Sequence, residues 1–318
     1  MKKIVFFGTP EFAATSLRRL LKASAESGEW EICAVVTMPD KPAGRGRRLL
    51  ESDVKKAAVE AGLPVMQPAN LKDPAFIAEL EALGADLFIV IAFRMLPEKV
   101  WAMPPLGTFN LHASLLPKYR GAAPINRAVM NGDKKTGVTT FFLKHEIDTG
   151  DIIESREIDI LDTDNVGDVH DRLMHLGADM VVNTVDDIFH SRVTPKPQPE
   201  GEFTPAPKIF AEDCIIDWNR PAIEVHNLVR GLSPYPGARA VITDTSGKET
   251  DIKIFETRLS AEKSAPAPGA TIVSGHSLLA SCADGWLEII SVQPAGKKRM
   301  DTSAYLLGYH PAAFSVKS

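Results

Sequence analysis

Two short polar stretches carry side chains that can donate hydrogen bonds and move protons. Asn110-Leu-His112 ends an apolar run, and Asp148-Thr-Gly-Asp151 follows another such run. Because side chains alternate along a strand, Asn110 and His112 should bring an amide and an imidazole to the same side. A carboxylate at Asp148 could keep His112 protonated or fix its tautomer. Taken separately, each stretch is more often structural, either satisfying loop backbone groups or forming an ordinary turn.

The elements that must position these residues follow from apolar runs that alternate with amphipathic stretches. The first two runs are continuous, which is typical of parallel strands covered by helices on both faces. We therefore predict an α/β fold with a Rossmann-like open sheet, in which ligands bind beyond the carboxyl ends of the strands. The predicted strands are Ile4–Phe7, Ile32–Thr37, Leu87–Ala92, Thr108–Leu111 and Val138–Leu143, and the predicted helices are Phe12–Ala23, Asp53–Ala61, Pro74–Leu83 and Val166–Phe189.

A second, smaller domain is indicated by a change in composition. A proline-rich stretch is typical of an extended connector, and the short strand-like runs that follow it are typical of a small barrel. We predict a catalytic domain at 1–193, a linker at 194–208 and an OB-like β-barrel domain at 209–318.

Composition excludes several classes of protein. A net charge of −5 argues against a wholly basic nucleic-acid binder, although it permits a local basic patch. Three scattered cysteines (Cys33, Cys214 and Cys282) argue against a disulfide framework or a zinc cluster, and no metal is expected. The first apolar run is too short for a membrane span and fits a buried strand, so we expect a cytoplasmic protein. Gly8-Thr-Pro-Glu-Phe12 lacks the glycines of a dinucleotide-binding loop.

Longer motifs resemble those of a known family. Asn110-x-His112, the segment SLLPKYRGAAP at 114–124 and DTGD at 148–151 together resemble the folate-dependent formyltransferase superfamily. Within it, five segments resemble the methionyl-tRNA formyltransferases, so that the resemblance runs from residue 4 to about 300. They are FFGTPEFA at 6–13, MPDKPAGRGRRL at 38–49, IDW at 216–218, SPYPG at 233–237 and QPAGKK at 293–298.

The resemblance implies a reaction and a catalytic trio. The donor would be 10-formyltetrahydrofolate, the acceptor the free α-amine of initiator methionyl-tRNA, and the enzyme a monomer. Asn110 and protonated His112 would donate hydrogen bonds to the oxyanion that forms when the amine attacks the formyl carbonyl. Asp148 would keep the imidazole charged and help to move a proton. No covalent intermediate is needed, because the amine is itself the nucleophile.

The resemblance also implies a folate pocket. Its residues would be Phe93, Arg94, Met95 and Leu96, together with Ser114, Leu115, Leu116, Pro117 and the loop that carries Asp148. Many family members have AYG-x-x-LP where this chain has AFRMLP, which is one residue shorter. A similar arginine occurs in the glycinamide ribonucleotide transformylases; the alternative for Arg94 is a simple surface charge.

Two basic clusters are candidates for tRNA contact. Lys41, Arg45, Arg47 and Arg48 lie in a glycine-containing segment that suits insertion at the end of an acceptor stem, with Arg45 the strongest candidate. Composition alone favours a solvated loop, and it is the family resemblance that favours tRNA contact. The near-neutral C-terminal domain offers Lys297, Lys298 and Arg299, with Lys208, Arg230 and Lys253 as additions.

Two other functions remain open at this point. A formyltransferase that acts on a sugar-nucleotide amine would share the Asn-x-His and SLLPxYRG patterns, although the PAGRGRR segment argues against it. A noncatalytic folate- or RNA-binding protein would have no need of all three residues Asn110, His112 and Asp148.

Overall fold

The computed structural model describes residues 1–43, 48–199, 201, 203–262 and 267–316, which form two compact units. The first unit comprises Met1–Gly121, Gly137–Ile158 and Asp171–Pro205, and the second comprises Ala122–Thr136, Asp159–His170 and Ala206–Ser318. Two internal segments therefore group with the C-terminal residues, whereas the sequence predicted domains that are continuous along the chain.

The N-terminal half alternates strands and helices. Its strands are β1 (Lys2–Gly8), β2 (Trp30–Val36), β3 (Lys41–Ala43), β4 (Arg48–Leu50), β5 (Val65–Met66), β6 (Leu87–Ile91), β7 (Thr108–His112), β8 (Arg120–Gly121), β9 (Lys135–Phe142) and β10 (Ile152–Asp159). Its helices are α1 (Glu11–Ser27), α2 (Asp53–Glu60), α3 (Pro74–Ala82), α4 (Glu98–Trp101), α5 (Pro124–Met130) and α6 (Val166–Phe189).

The C-terminal part is built mainly from strands. These are β11 (Pro205–Ala206), β12 (Ala238–Asp244), β13 (Glu249–Leu259), β14 (Thr271–Ser274), β15 (Ser277–Ser281), β16 (Trp286–Pro294), β17 (Met300–Asp301) and β18 (Pro311–Phe314). The helices are α7 (Ala222–Gly231), α8 (Thr302–Leu306) and a short 3₁₀ turn at Glu212–Cys214.

The first unit contains a seven-stranded sheet in the order β10-β9-β7-β6-β1-β2-β5. Strands β1, β2, β5, β6 and β7 run parallel. Ile4 to Phe7 in β1 are fully buried, which explains why this strand is a continuous apolar run. The predicted open α/β sheet is confirmed, and the carboxyl ends of β1, β6 and β7 lie at one edge.

Strand β9 departs from this pattern because it pairs antiparallel with β7. Phe142 lies opposite Phe109, and Thr139 lies opposite His112. The last residues of β9 therefore lie beside the start of β7. The connection between β9 and β10 must run back along the sheet before it can approach His112.

The second unit contains an antiparallel sheet in the order β14-β15-β16-β13-β12-β18. Its two ends approach one another through a bridge between Ala270 and Ala313 and a 2.7 Å hydrogen bond from Phe314 N to Gly269 O. Gly269 has a φ of +84°, and a Cβ there would lie 2.6 Å from Phe314 O. Trp218 and Phe314 stack inside, with ring centroids 4.5 Å apart. This nearly closed sheet confirms the barrel-like prediction.

No helix within the described ranges is both long enough and apolar enough to cross a membrane.

Candidate active site

His112 ends β7 and its imidazole is held by the loop that follows. Its Nε2 lies 2.8 Å from the carbonyl oxygen of Tyr119. A carbonyl can only accept, so Nε2 carries a proton and donates it to this bond. The side chain is almost fully buried. Nδ1 is therefore the ring nitrogen left to face a second group.

That second group is Asp148, and the predicted His112–Asp148 pair is brought together in the structure. Asp148 Oδ2 lies 3.8 Å from His112 Nδ1, and the same oxygen accepts a 2.9 Å hydrogen bond from Gly121 N. The 3.8 Å separation is an ion-pair distance, too long for a direct hydrogen bond. Such bonds often tighten only when the substrate is bound.

The Asp148 turn depends on a glycine. Gly150 packs so closely on the end of β9 that a Cβ there would lie 1.6 Å from Phe142 O. No side chain fits that space without movement of the backbone. Gly150 therefore lets the β9–β10 connection lie flat on β9 and bring Asp148 back to His112.

Asn110 lies on the same face of β7 as His112. Leu111, between them, contacts the opposite side, where its side chain packs against Gly177 of α6. The Oδ1 atom of Asn110 is buried and has no hydrogen-bond partner among the described residues. The Nδ2 of the same amide is a hydrogen-bond donor. A donor on the same face of β7 as His112 is what stabilisation of an oxyanion requires.

The loop after His112 is fixed by internal hydrogen bonds. Thr139 Oγ1 donates to Ser114 O at 2.7 Å and accepts from Leu116 N at 3.3 Å. Ser114 is fully buried, and its hydroxyl donates to Lys118 O at 2.6 Å. The side chain of Ser114 is thus engaged within the loop. Leu115 and Pro117 are partly buried, and Leu116 is buried.

The segment after β6 contains the other predicted folate residues. The Arg94 guanidinium donates to Pro68 O at 2.7 Å and to Ala69 O at 3.0 Å, while its Nε is buried without a described partner. Burial lowers the pKa of Arg94 below its ordinary value. Phe93 and Leu96 pack on the core, whereas Met95 is 70% exposed. Arg94 is therefore anchored and is not a free surface charge.

The basic segment is described only at its two ends. Arg45 and Arg47 lie outside the described residues, and of Arg48 only the backbone is described, in β4 opposite Ala43. Lys41 is exposed. Asp40, at the start of the segment, accepts hydrogen bonds from Lys55 and from Gln67 Nε2, and the Lys55 bond is the main cause that lowers its pKa.

The basic residues of the second unit differ in accessibility. Lys297 and Lys298 are exposed. Arg299 is also exposed, but two contacts fix its side chain. Its guanidinium lies 4.7 Å from the Phe255 ring centroid, and its Nε donates to the Ser291 hydroxyl. Arg230 is buried and donates to Leu161 O and Asp164 O. The guanidinium charge of Arg230 is therefore used inside the second unit, which contradicts the expectation that Arg230 contacts tRNA.

Among the described residues, one group of side chains has metal-ligand geometry outside this site. Atoms of Glu29, Asp186 and His190 lie within 4.8 Å of one another on the exposed surface. Asp186 also pairs with the Arg192 guanidinium, which would repel a cation.

Backbone groups of the site were missed by the sequence reasoning. The Tyr119 carbonyl orients His112, and the Gly121 N–H binds Asp148. Every residue has a backbone carbonyl, and every residue except proline has a backbone N–H. The residue types at positions 119 and 121 therefore did not indicate that their backbone groups belong to the site. Gln198 was also missed because it lies in the proline-rich stretch, yet it donates to Asp148 O and Gly150 O.

Comparison with known proteins shows the family of the chain. The family model described as formyl transferase matches residues 1–185, and the model for the formyl transferase C-terminal domain matches 208–310. A methionyl-tRNA formyltransferase of Bacteroides fragilis is 51% identical over 99% of this chain and 98% of its own length. One from Parabacteroides distasonis is 52% identical over 98% and 97%.

A solved structure shares the fold at much lower identity. It is an N-formyltransferase from Helicobacter canadensis in complex with folinic acid and dTDP-3-aminofucose. The TM-score is 0.66 at 18% identity, and the match covers 94% of this chain and 100% of that one. At half-identity over nearly its whole length, and with both domain models matched in order, the chain belongs to the methionyl-tRNA formyltransferase family of formyl transferases.

Proposed function

We propose that this protein transfers the formyl group of 10-formyltetrahydrofolate to the α-amine of methionyl-initiator tRNA. The observation that carries the proposal is the pairing of the oriented His112 imidazole with the Asp148 carboxylate, with Asn110 on the same face of β7, in a chain whose family forms formylmethionyl-tRNA. The reaction yields N-formylmethionyl-tRNA for translation initiation. We place it in the cytoplasm, where charged initiator tRNA is used, and we propose that the enzyme acts as a monomer.

The chemistry requires positioned hydrogen-bond donors and a route for one proton. When the amine attacks the formyl carbon, negative charge develops on the formyl oxygen. The Nδ2 of Asn110 and the Nδ1 of His112 are the donors we assign to that oxygen; loss of one such donor typically costs ~10²–10³ in rate. The Asp148 carboxylate lies 3.8 Å from Nδ1. Asp148 can take up the proton released by the amine, directly or through water, and pass it to N10 of the folate, so that the formyl C–N10 bond breaks and tetrahydrofolate leaves.

We assign the folate donor to the surface formed by Phe93–Leu96 and Ser114–Pro117 next to Asp148. The assignment is supported by Arg94, whose guanidinium is held in place by the carbonyl oxygens of Pro68 and Ala69. The exposed Met95 side chain offers apolar contact area beside it. The side chain of Ser114 is enclosed, so in this part of the loop its neighbours Leu115–Pro117 would contact the folate.

For the tRNA we propose two contact regions. The first is the basic segment with Lys41, Arg45, Arg47 and Arg48. The Asp40 carboxylate at its start is occupied by Lys55, so it does not offset the charge of the segment. The second is the exposed pair Lys297 and Lys298 with Arg299. Both would act through phosphate contacts, whose strength depends on salt.

The decisive experiment measures transfer of labelled formyl from 10-formyltetrahydrofolate to charged initiator tRNA, with charged elongator methionyl-tRNA as control. We expect formylation of the initiator alone. Transfer to an amino-sugar nucleotide but not to tRNA would keep the site and overturn the acceptor. Tight binding of folate or tRNA without any transfer would mean a noncatalytic binding protein.

A further inference from the structure

Gln198 lies in the proline-rich stretch that the sequence predicted to be a connector, but this stretch is hydrogen-bonded to the first unit. Lys196 forms an antiparallel bridge with Ile152 at the start of β10, with N–O distances of 2.8 and 2.9 Å. Farther along, Thr204 O accepts a 2.6 Å bond from Tyr119 N. Residues on both sides of Gln198 are thus fastened next to the candidate active site.

The Gln198 amide joins the two loops that hold the catalytic pair. Its Nε2 donates to Asp148 O at 2.8 Å and to Gly150 O at 2.9 Å. Its Oε1 accepts from Arg120 Nε at 3.1 Å and from Arg120 Nη2 at 2.6 Å. Both amide protons and the carbonyl oxygen are therefore used, which leaves the half-buried side chain fully satisfied.

Arg120, which binds Gln198, lies between two residues whose backbone groups contact His112 and Asp148. Arg120 stands between Tyr119, whose carbonyl orients His112, and Gly121, whose N–H binds the Asp148 carboxylate. The Arg120 guanidinium is also stacked 4.8 Å from the Phe203 ring centroid, so it cannot follow a displaced glutamine freely. The side chain of Gln198 thus bridges the His112 loop and the Asp148 turn.

The Asp148 turn needs such support. Asp148 has a φ of +55°, a left-handed conformation that is unfavourable for a residue with a Cβ and persists only where the surroundings hold it. The two carbonyls that Gln198 binds are those of Asp148 itself and of Gly150. Loss of both bonds would let the turn relax and carry the carboxylate away from His112.

We propose that Gln198 is a positioning residue that sets the distance between Asp148 and His112. This inference rests on the proposed function, because it takes these two residues as the proton-handling pair of the formyl transfer. Among the common side chains, only glutamine and asparagine can donate twice and also accept, and asparagine is one methylene shorter. The role therefore requires glutamine at position 198.

The test compares Gln198→Met and Gln198→Glu with wild type in steady-state formyl transfer. Met removes every polar contact, whereas Glu keeps an acceptor for Arg120 and removes the two donated bonds. We expect kcat to fall ~10- to 100-fold in both, because displacement of a catalytic group by about 1 Å costs up to ~10²-fold. The KM for each substrate should stay within about threefold. Thr194→Ala, an exposed residue of the same stretch, is the control and should retain wild-type kcat.

A double-mutant cycle separates positioning from general structural support. If Gln198 acts through Asp148, Gln198→Met should cost little further kcat in an Asp148→Asn background. An equal loss in both backgrounds, or unchanged kcat in either Gln198 variant, would overturn the inference. Each kcat of a variant is divided by the kcat of wild type, measured with the acceptor that wild type uses. If the proposed tRNA formylation is wrong, the wild-type enzyme itself will fail to formylate tRNA, and this result is distinct from a failure of the Gln198 inference.

Discussion

Asn110 presents a conflict between stability and activity that can be measured directly. Its Oδ1 atom is buried and has no partner among the described residues, whereas its Nδ2 is the donor that we propose for the oxyanion. An unsatisfied buried carbonyl costs about 1–3 kcal/mol of folding free energy. If the amide is retained for its donor, replacement by an apolar side chain of similar size should stabilise the protein and disable it.

The perturbation is Asn110→Leu. Removal of the unsatisfied oxygen should raise the free energy of unfolding by about 1 kcal/mol or more, which is equivalent to roughly 2–4 °C in Tm for a unit of this size. Removal of the donor should lower kcat by about 10²–10³-fold, the usual effect of deleting one oxyanion donor. The two effects have opposite signs because the same amide that costs stability supplies the hydrogen bond.

The assays are urea-induced unfolding and formyl transfer to charged initiator tRNA. Thr302→Val is the matched control: its hydroxyl is likewise buried without a described partner, but it belongs to the second unit and is not one of the three catalytic candidates. It should gain stability and keep wild-type turnover. Near-normal turnover in Asn110→Leu would refute the donor role, and a loss of stability would show that Oδ1 is in fact satisfied.

Three further predictions follow from the same structure. His112→Ala should lower kcat by at least about 10³-fold while the Kd for initiator tRNA, measured by filter binding, stays within about twofold; normal turnover would contradict its role. Lys297→Ala with Lys298→Ala should weaken tRNA binding and reduce the slope of log Kd against log salt by about 0.9 for each lysine that contacts a phosphate, so an unchanged slope would remove this surface from the interface. Burial and then Arg230 lower the pKa of His226 below its ordinary 6.5, so the unfolded chain binds this proton more readily than the folded one. The free energy of unfolding should therefore fall as the pH drops below about 6.5, and it should fall less in His226→Gln than in wild type. If the urea midpoints of the two proteins change by the same amount between pH 8 and pH 5, the prediction is contradicted.

The elements that the sequence predicted best are those with one dominant physical cause. Ile4–Phe7 and Ile32–Thr37 are continuous apolar runs because both sheet faces are covered, and they correspond to β1 (Lys2–Gly8) and β2 (Trp30–Val36). The helical period from Val166 to Phe189 matches α6. In these cases burial alone determines the residue pattern.

The geometry of the site depended on features that leave no such pattern. Nothing in the run Val138–Leu143 shows that β9 is antiparallel to β7, so the rule for the carboxyl ends of parallel strands did not apply to the turn at Asp148. The close contact of Gly150 with Phe142 O becomes visible only once that direction is known. Asp148, His112 and Asn110 were predicted as a set through the family resemblance, and the structure adds what holds them.

The described cysteine side chains and the Ser114 hydroxyl also favour direct attack by the amine over a covalent route. A thiol acts as a nucleophile in its thiolate form, and burial raises the pKa of Cys33 and Cys214 and that of Cys282 to about 12. The hydroxyl next along the chain from His112, that of Ser114, is fully enclosed and donates to Lys118 O. The Nε2 of His112 is bonded to a carbonyl oxygen, so it cannot take a proton from one of these thiols or from the Ser114 hydroxyl. Since an α-amine brings its own lone pair, the Asn110 donor and the His112–Asp148 pair are the groups that such a reaction still requires from the protein.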